Sequence, residues 1–269
     1  MKRPLKVEDW VCLAVLLALL ALVGLYQGAD PFFCATAAGT VLLAFAAVIR
    51  PELRREFLLL GFLLPISLIA TTVANNEVVH LSRHTLDAQL LKLDGGFSPG
   101  VYHWVQQHRY CRLGLDLVYY GLPFFSAFVV YVSSRRLDYA RAWILAAALA
   151  PLFYLAFPAA GPAHLGDPTA SRNCIPSLHM TWALLGPAYI APRWRWLAIA
   201  YAVLTAAATL GTGEHYVIDL IISVPYTWGT CWVVSRTRLL QLRTEPERGA
   251  GLVHASPDSA QGAGVSTGA

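Results

Sequence analysis

The sequence predicts an all-α fold: a polytopic membrane helical bundle of about eight transmembrane helices with a six-helix catalytic core. Three observations carry this. Across 269 residues, 57% are hydrophobic and only 13% charged, far more apolar material than one soluble core of this length would bury. Apolar runs of near-spanning length recur at 10–26, 32–49, 57–74, 113–133, 143–157, 176–191, 196–210 and 216–234. The basic residues cluster in alternate connections. Placing the N-terminus in the cytoplasm puts all but Arg83, Lys92, Arg109, Arg112 and Arg172 on the inner side, as the positive-inside rule requires. Both termini are then cytoplasmic. The net charge of +4 is mostly this inner-loop bias and gives no support to nucleic-acid binding.

Residues 1–56 read as an N-terminal transmembrane hairpin. The first run lacks a cleavage site followed by a soluble domain, so it is expected to be a retained anchor. Residues 57–243 form the catalytic membrane core. Within it, 75–112 is too polar to span and too apolar to be a free linker. Leu81, Leu86, Leu90, Leu91 and Leu93 recur at near-helical spacing until Gly95 and Gly96 break the pattern, and Trp104 and Tyr110 suit an interfacial segment. This stretch is expected to cap the outer face. The fifth run ends in FPAAGPAHLGD, whose Pro and Gly residues force a loop leading into RNCIPSLH. From 244 to 269 periodicity gives way to Gly, Ser, Pro and Ala, and a disordered cytoplasmic tail is expected.

The chemistry concentrates between Arg172 and Asp219. His179 and His215 each begin an apolar segment, and both loops fall on the extracytoplasmic side. Asp219 follows His215 by four residues, so on a helix the two share a face. A carboxylate on one imidazole nitrogen fixes the tautomer and stabilises the imidazolium, leaving the other nitrogen to act as base or nucleophile. An Asp one turn inside an apolar segment also needs such a partner. His179 would supply the proton that a departing oxygen needs. Pro176 suits the first turn of the sixth segment, whose free amides at Ser177, Leu178 and His179 would face an anion. Arg172 would pair with the same anion. Phosphate fits these parts best.

Plainer readings stand beside these. Ser177 also suits a simple helix cap, and Arg172 a headgroup contact. The remaining histidines, His80, His84, His103, His108 and His164, read as headgroup-level residues. His179, His215 and Asp219 could instead hold a zinc ion, but spacing supplies no fourth ligand, although Glu214 is adjacent. The reading adopted has neither metal nor cofactor. A transporter or lipid-binding protein relaying protons through the same His and Asp is the alternative from another class. The five cysteines show no metal-ligand spacing; Cys111 and Cys174 fall on the outer side, and free thiols are expected there.

PSLH followed by HYVID resembles the type 2 phosphatidic acid phosphatase superfamily of membrane phosphatases and phosphotransferases. The resemblance implies that His215 is the nucleophile, Asp219 orients it, His179 assists the leaving group and Ser177 contacts phosphate, without a metal. Two departures stand out: the family's upstream Lys and Arg-Pro motif is not recognisable around FPAAGPAHLGD, and Thr209 occupies the position of an arginine usual six residues before the nucleophile. These departures look like the branch of inositol phosphorylceramide synthases, inositolphosphotransferases that move a phospho-headgroup between lipids. Arg172, with Arg83 or Arg109 from the cap, would then replace the missing charges. The implied partners are a membrane lipid phosphoester and an alcohol or lipid acceptor.

Overall fold

The computed structural model of the protein describes residues 31–82 and 84–250, apart from the side chains of 31, 33 and 239–250. The first expected span, Cys12 and Arg83 lie outside the described residues. All regular structure among those described is helical: α1 (Pro31–Ile49), α2 (Arg54–Leu81), α3 (Asp87–Asp94), α4 (Phe97–Gln107), α5 (Arg109–Tyr120), α6 (Leu122–Val132), α7 (Arg136–Ala156), α8 (Leu178–Tyr189), α9 (Arg195–Gly211) and α10 (Val217–Ala250). Short 3-10 turns at Pro51–Leu53, Pro162–His164 and Pro192–Trp194 join some of them.

The expected spans do not all become full-length membrane helices. Three stretches, Pro51–Leu81, Arg136–Ala156 and Val217–Arg238, are long and apolar enough to cross a membrane. The run at 113–133 is a fourth only as a bent pair, α5 and α6 meeting at 46°. Pro123 explains the break, since it cannot donate to the preceding turn and its ring crowds that turn's carbonyl. The run at 176–191 yields the 12-residue α8, roughly 18 Å long at 1.5 Å per residue. It is short because the loop before it folds back into the protein: Ala159, Ala160, Cys174 and Ile175 are buried. Irregular backbone at this depth is tolerated where protein surrounds it.

α8 is the hub, packed against α6, α7, α9 and α10, while α1 and α2 pack outside this group. Its Trp182 stacks on Trp143 of α7 at 4.1 Å, and the Trp182 Nε1–H donates to the Trp143 carbonyl. Tyr226 of α10 donates to the Ala146 carbonyl at 2.5 Å, and Tyr201 of α9 to the Val118 carbonyl at 2.8 Å. Such interhelical bonds contribute about 1 kcal/mol each in an apolar surrounding.

The two ends of the bundle differ in charge. At the N-terminal end of α7, Asp138 is met by Arg135, Arg141 and Arg238 at 3.1–3.4 Å, and Arg136 pairs with Glu56 at 3.0 Å. The opposite end of α7 leads into the loop before α8, about 32 Å away for a 21-residue helix. α10 does not stop near residue 244; it continues through Ala250, because RLLQLR is a run of strong helix formers. Residues 251–269 of the expected tail lie outside the described residues.

Candidate active site

Three backbone features meet at the end of the bundle away from the arginines: the loop between α7 and α8, the turn between α9 and α10, and the N-terminus of α8. Tyr154 donates to the Pro176 carbonyl at 3.2 Å, fixing the approach to α8. Ser177 is the N-cap, its Oγ accepting from the Met180 amide at 3.3 Å. Pro176 therefore lies just outside the helix rather than in its first turn, and Leu178 is the first helical residue. Ser223 Oγ sits 3.1 Å from the Ser177 carbonyl and 2.7 Å from the Asp219 carbonyl, clasping the start of α8 to the first turns of α10. This is how residues forty positions apart are held at one point.

His215 lies in the turn before α10 and Asp219 in its first turn. Their Nδ1 and Oδ2 are 3.5 Å apart, with His215 4% exposed and Asp219 fully buried. The same Oδ2 accepts from the Tyr216 amide at 2.7 Å, so the carboxylate also caps the helix. His179 stands in the first turn of α8, where Tyr119 stacks on its ring at 3.9 Å and Phe32 tilts against it at 5.0 Å. His179 and His215 are close enough to act electrostatically on each other. Four buried polar atoms here have no hydrogen-bond partner among the described residues: Arg172 Nε, His179 Nε2, His215 Nδ1 and Asp219 Oδ1. Buried polar groups are rarely left so, and a concentration of them marks a place where a polar ligand would be held.

Arg172 is almost fully buried, and its guanidinium donates to the carbonyls of Asp167 and Pro168 at 3.3 and 3.2 Å. It is thus pre-positioned by its own loop. Glu214 binds His164 at 3.1 Å, tying the turn between α9 and α10 to the loop between α7 and α8. That bond pushes the His164 pKa above its ordinary value, against the effect of partial burial. Gly161, at φ +94°, lies directly under Glu214, and any Cβ there would press into the Glu214 carbonyl. Arg109 is exposed at the start of α5.

Sequence reasoning missed several participants. Asp87, in the first turn of α3, is almost buried and accepts from the Ala160 and Gly161 amides at 3.0–3.2 Å and from the Tyr216 hydroxyl at 3.2 Å. Asp94 accepts from the Ser98 amide and hydroxyl, and the Val217 amide reaches Ser98 Oγ at 3.2 Å. The segment at 75–112 is therefore bonded to both chain segments that carry the histidines. An acid at the start of a short amphipathic helix gives no sign in sequence of partners more than seventy positions away. Cys174 is also buried, its Sγ–H donating to the Glu214 carbonyl at 3.1 Å. Burial and the nearby Asp219, Asp87 and Glu214 push its thiol pKa up. Cys111 and Cys174 are both free thiols.

Residues 163–233 match the family model of the PAP2 superfamily, a stretch that contains His179, His215 and Asp219 and runs from the loop before α8 into α10. No curated protein and no solved structure matches the chain. The match supports an enzyme of the membrane lipid phosphatase and phosphotransferase type.

Proposed function

We propose that the protein is a metal-independent membrane phosphotransferase acting on a lipid-linked phosphoester at the outer leaflet through a histidine nucleophile. The observation that carries the reading is the buried His215–Asp219 pair beside a second, half-buried imidazole, His179, whose buried Nε2 has no hydrogen-bond partner among the described residues. With Asp219 holding the proton on Nδ1, Nε2 of His215 attacks phosphorus while His179 gives a proton to the departing alkoxide. A phosphohistidine results, and His179, now neutral, takes a proton from water or an alcohol as its oxygen attacks the same phosphorus and frees His215. Ser177 and the first amides of α8, at Leu178 and His179, would receive the phosphoryl oxygens together with Arg172.

Charge favours a phosphodiester donor over a monoester. Among the largest electrostatic influences on the Cys174 corner of the site, Arg172 is the one cation, against Asp219, Asp87 and Glu214. A single fixed cation suits a monoanionic diester, whereas a dianionic monoester would meet net repulsion. Hence a headgroup-bearing diester is the preferred donor, and transfer to an alcohol is the reaction proposed for it. The lipid character of the substrate is supported by the apolar, membrane-spanning helices that carry the site. The outward orientation is supported by the arginine-rich end lying opposite His179 and His215.

The test is to present purified protein in lipid with a panel of lipid phosphodiesters and monoesters, with and without alcohol acceptors, in chelator. A headgroup-bearing product that depends on acceptor and disappears in His215→Ala is expected. Free phosphate from a monoester without acceptor would make it a hydrolase. No product from any donor, with transport of lipid across the vesicle, would replace the enzyme by a transporter.

A further inference from the structure

We propose that Cys174, His215 and Asp219 form an inhibitory zinc site inside the active site. The proposal rests on the reading of His215 as nucleophile and adds a regulatory cation to it. One ligand atom from each of the three buried residues lies within 4.8 Å of the others. Zinc holds nitrogen and oxygen ligands at about 2.0–2.2 Å and sulfur at about 2.3 Å, so tetrahedral ligand pairs stand roughly 3.3–3.8 Å apart. The 3.5 Å between His215 Nδ1 and Asp219 Oδ2 is long for a hydrogen bond and falls in that range. A second observation is independent of that spacing: Oδ1 of Asp219, in a side chain 0% exposed, has no hydrogen-bond partner among the described residues.

The donor set selects the metal. Thiolate, imidazole and carboxylate together suit zinc, whereas magnesium and calcium take oxygen donors. Asp87 and Glu214 act electrostatically on Cys174 along with Asp219, so the corner is rich in negative charge, with Arg172 the one cation among its largest electrostatic influences. On binding, the Cys174 S–H bond breaks, its proton passes to solvent and the sulfur bonds to zinc, replacing its hydrogen bond to the Glu214 carbonyl. Zinc on Nδ1 also moves the proton that Asp219 would hold there to Nε2, the nitrogen that would attack phosphorus. The orienting pair is then lost and turnover stops. The sequence pairs the histidines with Asp219 as the metal alternative, but the geometry assigns Cys174, rather than His179, as the third ligand.

Cobalt(II), which takes zinc sites and reports thiolate ligation by charge-transfer absorption in the near ultraviolet, tests the site without any substrate. Full-length protein in lipid is titrated with cobalt, and separately with zinc during turnover, for the unaltered chain, Cys174→Ser, His215→Ala and Cys111→Ser. Serine preserves a donor to Glu214 while removing the thiolate. The absorption should appear in the unaltered chain and in Cys111→Ser and be lost in Cys174→Ser and His215→Ala. Zinc should suppress turnover reversibly to chelator, and Cys174→Ser should need about tenfold more zinc or above for the same suppression. Absorption missing from the unaltered chain, or retained in Cys174→Ser, overturns the site. Absorption accompanied by higher turnover overturns its inhibitory role. A chain that gives the absorption but turns over no donor keeps the metal site and rejects the proposed function.

Discussion

Asp219 is fully buried, one oxygen engaged by the Tyr216 amide and the other without a partner among the described residues. Such a carboxylate is retained in an apolar helix only when a neighbour needs its charge, and His215 at 3.5 Å is that neighbour. Replacing it by Asn keeps the shape and removes the charge that holds the imidazole tautomer. In Asp219→Asn, kcat is expected to fall about 10³–10⁴-fold with little change in thermal stability, measured by turnover and melting of the same preparation. A fall of less than tenfold would remove Asp219 from the mechanism. The four-residue spacing points to this pair in the sequence, but His215 stands in the turn before α10, so the turn rather than a shared helix face brings its Nδ1 to Asp219. Their meeting with His179 is not legible in the sequence, since it depends on the Ser223 clasp and on the ring stack with Tyr119.

At the level of elements, the loop between α7 and α8 is held by bonds from outside itself. Asp87 on α3 receives two of its amides and the Tyr216 hydroxyl. Asp87→Ala would leave those buried amides unsatisfied at a cost of about 2–4 kcal/mol, read as a lowered melting temperature together with loss of turnover. Unchanged melting would mean that water replaces the carboxylate freely. His164 and Glu214 form the second tie. Because the folded-state pKa of His164 is raised, their bond contributes fully below the ordinary histidine value near 6.5 and is lost as pH rises through the raised value. Melting of the unaltered chain should therefore fall across that window relative to Glu214→Gln, whose profile should be flatter there. Parallel profiles would show that the pair does not stabilise the loop. The loop itself was legible from its Pro and Gly residues; its partners were not, because hydrogen bonds from Asp87 cross more than seventy positions.

Among the described residues, Arg135, Arg136, Arg141 and Arg238 gather at one end and His179 and His215 lie at the other, separated by the length of α7. This supports cytoplasmic termini and an outward site. Arg109→Cys, at an exposed position near the site end, is expected to react with a membrane-impermeant maleimide in intact cells. Arg193→Cys, exposed in the connection between α8 and α9, should react only after permeabilisation, each measured above the labelling of the unaltered chain. The reverse pattern would invert the topology and move the chemistry to the inner leaflet.

The sequence alone determined the helical membrane class, the apolar segments and the His215–Asp219 pair. Hydropathy and helical period are local properties, readable over windows of a few turns. It overextended α8 and treated α5 and α6 as one straight run, because composition does not reveal how deep a loop folds or how a proline bends a helix. Tertiary structure decided that Arg172 is braced by its own loop, that Arg109 is exposed, and that Asp87 and Cys174 bond to the turn before α10. Those outcomes depend on contacts between distant segments, where packing and the satisfaction of buried polar groups select partners that no local pattern specifies.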